Sequence, residues 1–393
     1  MSDVRTLLKK RPLLFDGGMG TYYKGAPGRE CEQANRLDPE GIRAVHRAYL
    51  AAGADAIKTN TFGLPRMAAA QDPEWEALTD AGWKLAAEAA AGTDAAVFAD
   101  LGPAPDTEGL SAAQVYTAVV RRFAALGAKN YLFETLSSDT GVLDAVRALR
   151  ETVPDAFVQV SFAVLPDGYT REGRYCAELV RRVAQSGVVD AVGLNCVSAP
   201  GAMRALVQQL GDAGLPLSVM PNAGYPVVAR AQVRYQGKPE YFARELSRLA
   251  SEGVRILGGC CGTTPQHIAA LRTALDALPE VLPAAPAAKP AVVNPAPGTQ
   301  LPFEGGHNFR ELGGYEADEG KHIKWGQIYR GIPTWKLTSE ADRKLLDSLG
   351  LRLILDLRSE AEAVETPDYV PDGARLVRIC GLCLENGKEV DFS

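Results

Sequence analysis

Histidine is scarce in this chain: the 393 residues contain four, His46, His267, His307 and His322. A metal site built mainly on imidazole has little to draw on. No apolar run approaches membrane-spanning length, and the start "MSDVRTLLKKRPLLFDGG" has no apolar signal core. The expected compartment is therefore the cytoplasm. No long block of Lys or Arg occurs, and the formal net charge is −6. Nucleic acid and anionic membrane surfaces are not expected partners. No GxGxxG opens the first strand–helix unit, which counts against a dinucleotide-binding open sheet.

Cysteine is present in an odd, irregular set: Cys31, Cys176, Cys196, Cys260, Cys261, Cys380 and Cys383. That spacing makes a poor disulfide framework. In a reducing compartment, metal binding or catalysis is the expected specialised use. The rest of the composition, 46% hydrophobic and 23% charged, suits one large globular domain and a smaller one.

From residue 13 to about 278 one unit recurs: a short apolar strand, a polar or Gly-rich turn, then a helix. Expected strands are 13–16, 55–60, 96–100, 131–134, 157–162, 191–196, 217–222 and 255–259. Amphipathic helices lie between them. Asp38 and Pro39 open one whose stripe is Ile42, Val45, Tyr49 and Leu50. Thr264 and Pro265 open the last, with Ile268, Leu271, Leu275 and Leu278 inward. Parallel strands with crossover helices at this spacing predict a (β/α)8 TIM barrel of the α/β class over residues 1–279. A Pro/Ala-rich linker is expected at 280–302, then a small, incomplete α+β region at 303–393.

Barrel active sites lie at the carboxyl ends of the strands. Those ends carry Asp16, Asn60, Asp100, Glu134, Ser161, Asn195, Cys196 and Asn222, with Cys260 and Cys261 just past the eighth strand. The sixth and eighth strands are two apart, so their ends stand roughly 10 Å from each other. Their side chains can therefore converge on one ion. Adjacent residues of a regular strand face opposite ways, and Gly258, Gly259 and Gly262 supply the freedom to break that alternation around "CC". Any one cysteine alone reads as a buried small apolar residue. Three at strand ends, with glycines around the pair, read as a thiolate site for Zn2+ with a fourth position left open. A thiol substrate is the natural fourth ligand, with Asn222 a candidate when none is bound. Asp16 and Glu134 can take the ammonium of an amino-acid substrate, and the amides of Gly17 and Gly18 its carboxylate. Asp100 is expected to hold a loop, and Asn60 and Asn195 to bond backbone.

The stretches "FDGGMGT" (15–21), "HRAYLAAGADAIKTNTFG" (46–63), "FET" (133–135), "VGLNC" (192–196), "PNAGYP" (221–226) and "GGCCGTTPQHI" (258–268) resemble the zinc-dependent homocysteine S-methyltransferases. The resemblance implies zinc on Cys196, Cys260 and Cys261, homocysteine sulfur as fourth ligand, Asp16 and Glu134 at its amino group, and methionine as product. It does not carry over the methyl donor. The loop "FGLPRM" lacks the tyrosine of betaine-using members, which counts against betaine. A corrinoid or folate protein, S-methylmethionine and S-adenosylmethionine stay open.

The second region is similar to the opening of the bacterial tyrosine/serine protein phosphatases, through "NFRELGGY" (308–315), "IKWGQIYRG" (323–331) and "LILDLRSEAE" (353–362). That family's catalytic loop places Arg six residues after its Cys. Here Asn386 follows Cys380 and Glu389 follows Cys383 at that interval. An inactive, partial phosphatase-like segment is expected, with "CGLC" (380–383) a weak signal for a redox or metal pair. The alternatives to a methyltransferase are a phosphate-binding module carried on a barrel and a non-catalytic zinc-binding barrel.

Overall fold

The computed structural model describes residues 3–23, 31–107, 109–229, 232–279, 298–305, 308–315, 323 and 325–379. Most of the expected linker, His307, His322 and the "CGLC" pair lie outside these residues. The chain divides into two compact units, Met1–Val293 and Asn294–Ser393.

The first unit is a (β/α)8 barrel. Its strands are β1 (Leu13–Leu14), β2 (Ala56–Lys58), β3 (Ala96–Leu101), β4 (Asn130–Leu136), β5 (Phe157–Phe162), β6 (Ala191–Asn195) and β7 (Leu217–Met220). A short hairpin follows, β8 (Pro226–Ala229) with β9 (Gln232–Tyr235), and then the eighth barrel strand, β10 (Ile256–Leu257). The barrel pairings are all parallel, in the order β1-β10-β7-β6-β5-β4-β3-β2. A parallel bridge from Phe15 to Ala56 brings β1 back to β2. Five of the eight barrel strands are shorter than the sequence predicts, while β3 and β4 run on past Asp100 and Glu134 and are longer. The hairpin β8–β9 was not expected.

Two apolar layers hold the barrel. Between strands and helices pack Leu14, Ile57, Val97, Tyr131, Val158, Val192, Val219 and Leu257, against the helices' buried stripes. Inside lie Leu13, Phe15, Ala56, Phe98, Leu132, Phe157, Met220 and Ile256, joined by Val4 and Leu8 of the helix Val4–Lys10. The Phe15 and Phe98 rings stand 4.6 Å apart at their centroids. That N-terminal helix therefore packs its apolar face on the interior cluster, and the polar interior is left to the opposite end. The helix starts follow the sequence signals: Asp38 caps Pro39–Ala51, and Thr264 forms a capping box with His267 on Pro265–Asp276.

The second unit packs Phe303, Phe309, Leu337 and Leu346 together. It contains an antiparallel pair, Arg310–Glu311 with Tyr329–Arg330, and a parallel pair, Leu353–Asp356 with Arg375–Arg378. Arg358 bonds Asp356 Oδ1 at 2.9 Å and Asp368 Oδ2 at 2.6 Å. No helix among the described residues is long and apolar enough to cross a membrane.

Candidate functional site

Strand alternation builds the polar end of the barrel. Ala56, Phe98 and Leu132 point into the interior cluster, so the residues two further on, Lys58, Asp100 and Glu134, point the same way one layer higher. All three are buried, as are Asp16, Asn195 and Asn222.

Three sulfurs meet above them. The Sγ atoms of Cys196, Cys260 and Cys261 lie within 4.8 Å of one another, and Cys196 Sγ is 3.9 Å from Cys261 Sγ. Backbone bonds lace their loops together: Cys196 N–H donates to Met220 O (3.0 Å), Cys260 N–H to Pro221 O (2.9 Å) and Ala223 N–H to Cys261 O (2.9 Å). Cys196 and Val197 both adopt left-handed backbone, φ 57° and 50°. This is costly for residues with a Cβ, and turns the chain abruptly at the end of β6. Of the three glycines expected to free the pair, Gly262 has positive φ (78°). Gly259 is needed for room instead: a Cβ there would meet Thr263 Oγ1 at 2.4 Å.

Packed thiols share protons unequally. Hydrogen bonds from Cys196 and Cys260 pull the Cys261 thiol down to about 3, while the same contacts push Cys260 up. The arrangement favours one thiolate held by two S–H groups. The Tyr235 hydroxyl, from β9, also hydrogen-bonds Cys261, and its ring lies against Gly262. Tyr235 is a site residue that sequence reasoning missed, because it arrives on the unexpected hairpin.

Below the sulfurs, Asp16 Oδ2 accepts from Lys58 N–H at 2.9 Å, and the Lys58 ammonium lies 3.5 Å from Asp16 Oδ1 and 3.9 Å from Glu134 Oε2. Burial raises Asp16 to about 6, despite the lowering effect of Lys58. Glu134 is raised by the same cause, and the Lys58 ammonium is held above its ordinary value by Glu134 and Asp16. Asn195 Nδ2 donates to Glu134 Oε2 (3.2 Å) and to Thr135 Oγ1 (2.8 Å), while its Oδ1 accepts from Thr135 N–H (2.8 Å). Asn195 therefore fixes the rotamer of Glu134 as well as bonding backbone. Asn60 bonds Cys31 O and Asn35, a loop-holding role.

Two expectations are not met as stated. Asp100 was expected to hold a loop, yet its Oδ1 is buried without a hydrogen-bond partner, and burial, with Glu134 nearby, raises its carboxyl above the ordinary value. The Gly18 amide does not point at a substrate carboxylate, since it donates to Thr263 Oγ1 at 2.9 Å. Thr263 in turn donates to Cys260 O at 2.6 Å. Gly17 is tightly boxed by Thr263 and Tyr49. Asn222 Oδ1 is buried without a hydrogen-bond partner, and Asp16 Oδ1 is buried with the Lys58 ammonium 3.5 Å away. Unpaired buried acceptors are uncommon, and they suit an incoming donor.

The Homocysteine S-methyltransferase family model matches residues 13–275. The chain belongs to that family. A second model, the Tyrosine phosphatase family, matches residues 301–388. Among curated relatives of this homocysteine S-methyltransferase family member, the methionine synthase of Mycobacterium tuberculosis is 31% identical over 296 residues, 68% of this chain and 25% of that protein. The methionine synthase of Mycobacterium leprae is 30% identical over 298 residues, covering 68% and 24%. The chain thus spans about a quarter of the length of these relatives. Among solved structures, the metallated form of the homocysteine methyltransferase MmuM from Escherichia coli is 26% identical with a TM-score of 0.56, covering 69% of this chain and 98% of that one. Its apo form gives 27% and 0.50, covering 68% and 97%.

Proposed function

We propose that the barrel moves a methyl group onto the thiolate of homocysteine to give methionine, with Zn2+ held by Cys196, Cys260 and Cys261. The observation that carries this reading is the convergence of three sulfurs within 4.8 Å at the open end of the barrel. The donor set fits the ion: three soft ligands, close enough for one tetrahedral centre with Zn–S bonds of about 2.3 Å, and a fourth position open. When bound, zinc supplies the Lewis acidity that keeps a substrate thiol deprotonated near neutral pH.

The chain's own residues do the rest. Cys261 is already inclined to the thiolate that metal binding requires. Asp16 and Glu134 lie beneath the sulfurs as acceptors for the amino end of the substrate, and Asn195 keeps Glu134 in place. Gly17 and Asn222 complete the contacts assigned to the substrate. Once the thiolate exists, no general base is required, and no further catalytic residue is assigned. The methyl donor is left open. Methionine synthase relatives favour a methylated corrinoid or folate over S-methylmethionine or S-adenosylmethionine.

We read the domain plan as a barrel over 1–279, a linker over 280–302 and a phosphatase-like segment over 303–393 without the Cys–Arg loop of phosphotransfer. A cytoplasmic setting would keep the thiols reduced. The direct test is to incubate zinc-loaded protein with homocysteine and each candidate donor, and to measure methionine. Methionine should form with at least one donor. Metal binding with no homocysteine affinity would instead support a non-catalytic zinc barrel.

A further inference from the structure

Lys58 stands where the barrel's amino-acid selectivity should be set. It ends β2 with its side chain turned inward and 5% exposed. Its ammonium donates to Gly259 O at 3.2 Å and lies within 4 Å of both Asp16 and Glu134. Both oxygens of Asp16 face this one residue: Oδ2 accepts the Lys58 amide and Oδ1 faces the ammonium. These two carboxylates are the groups available for a substrate ammonium, so the chain already supplies a cation at that place.

A buried carboxylate pair attracts any nearby cation, and like charges brought together in a low-dielectric pocket repel. A substrate ammonium must therefore share Asp16 and Glu134 with Lys58. Asp100, the third buried carboxyl of the group, is itself raised by burial and by Glu134, so the charge available to cations rests mainly on Asp16 and Glu134. The same Lys58 ammonium favours a substrate carboxylate.

We propose that Lys58 is a specificity-determining residue that relaxes the requirement for an α-ammonium, so that this barrel accepts thiols carrying a carboxylate with or without the amine. The inference rests on the thiol-binding reading above and goes beyond it.

The test is calorimetric titration of the zinc-loaded full chain with L-homocysteine and with 4-sulfanylbutanoate, which keeps the thiol and carboxylate and lacks the amine. The two dissociation constants should agree within about fivefold, and Lys58→Met should raise the preference for homocysteine by about tenfold or more. Lys58→Arg, which keeps the cation, should hold the wild-type ratio. A wild-type preference for homocysteine of about a hundredfold or more overturns the proposal. So does an unchanged ratio in a Lys58→Met protein that retains zinc. If that variant fails to fold or to hold zinc, the wild-type ratio alone decides. If neither thiol binds, the homocysteine reading itself fails. Binding of both with a strong demand for the amine sinks only the role of Lys58.

Discussion

In the barrel, Asp100 and Asn222 each bury an oxygen that has no hydrogen-bond partner, and Asp16 Oδ1 meets the Lys58 ammonium only at 3.5 Å. In the C-terminal unit, the charged cluster is closed: Arg358 is held by Asp356, Thr366 and Asp368, and Arg378 reaches Asp356 as well. The buried side-chain atoms without partners, among the described residues, all belong to the barrel. Apolar groups show the reverse. The barrel covers its strands on both faces, whereas Leu353, Leu355 and Leu357 of the C-terminal unit are each more than half exposed. The C-terminal unit thus pairs its charges and leaves apolar side chains uncovered. Unsatisfied acceptors beneath three sulfurs describe a place prepared for a ligand.

That contrast can be broken most directly at the sulfurs. Cys260→Ala or Cys261→Ala should lower bound zinc from about one per chain to less than about a tenth, and abolish methionine formation, with the circular dichroism of the barrel unchanged. Retention of both metal and turnover would refute the assignment.

The next largest effect is in pH. The Asp16 carboxyl sits at about 6 in the fold against 3.8 for the free group, so the folded state binds the extra proton between those values. Its contribution to stability is full below about pH 4 and is lost as pH rises through 6. Asp16→Asn removes that loss. Denaturant titrations should show the variant gaining about 3 kcal/mol on the wild type between pH 4 and pH 7 in the metal-free protein. An unchanging difference across that range would show that Asp16 is ionised throughout.

In the other unit, Arg358→Met should cost about 2 kcal/mol locally, read by hydrogen exchange over residues 334–378, because nearly buried Asp368 loses its ion-pair partner and Asp356 keeps only Arg378. Zinc content and methionine formation should not change. The smallest effect is expected at the turn after β6: Val197→Gly should gain about 1 kcal/mol by relieving a β-branched residue at positive φ. A net loss would mean that the side chain of Val197 contributes more than its backbone costs.

The eight strands and the helix caps were legible because period-two and period-3.6 patterns are local, and Asp–Pro and Thr–Pro mark helix starts. Strand ends were less so: β1 and β10 each keep two ladder residues where four or five were expected. The cysteine trio was legible from its place at strand ends. Lys58 was not, although the signal existed: it stands two residues after Ala56, in a strand buried throughout, and an inward lysine needs a partner. Asp100 carried the same signal two residues after Phe98. Tyr235 had none, since its position depends on a hairpin that returns over the pair from nine residues beyond the end of "PNAGYP". The engagement of the Gly18 amide by Thr263 joins residues 245 apart and could not be read locally.

The amide–carbonyl lacing that ties Met220, Pro221 and Ala223 to the three cysteines has a bearing on metal exchange. Many small zinc modules spend the ion's affinity on ordering their own chain, and unravel under a chelator. A cup already rigid before loading has no such debt. Loaded with zinc as proposed, the protein should surrender the ion to a chelator and recover it on dialysis without passing through an unfolded form.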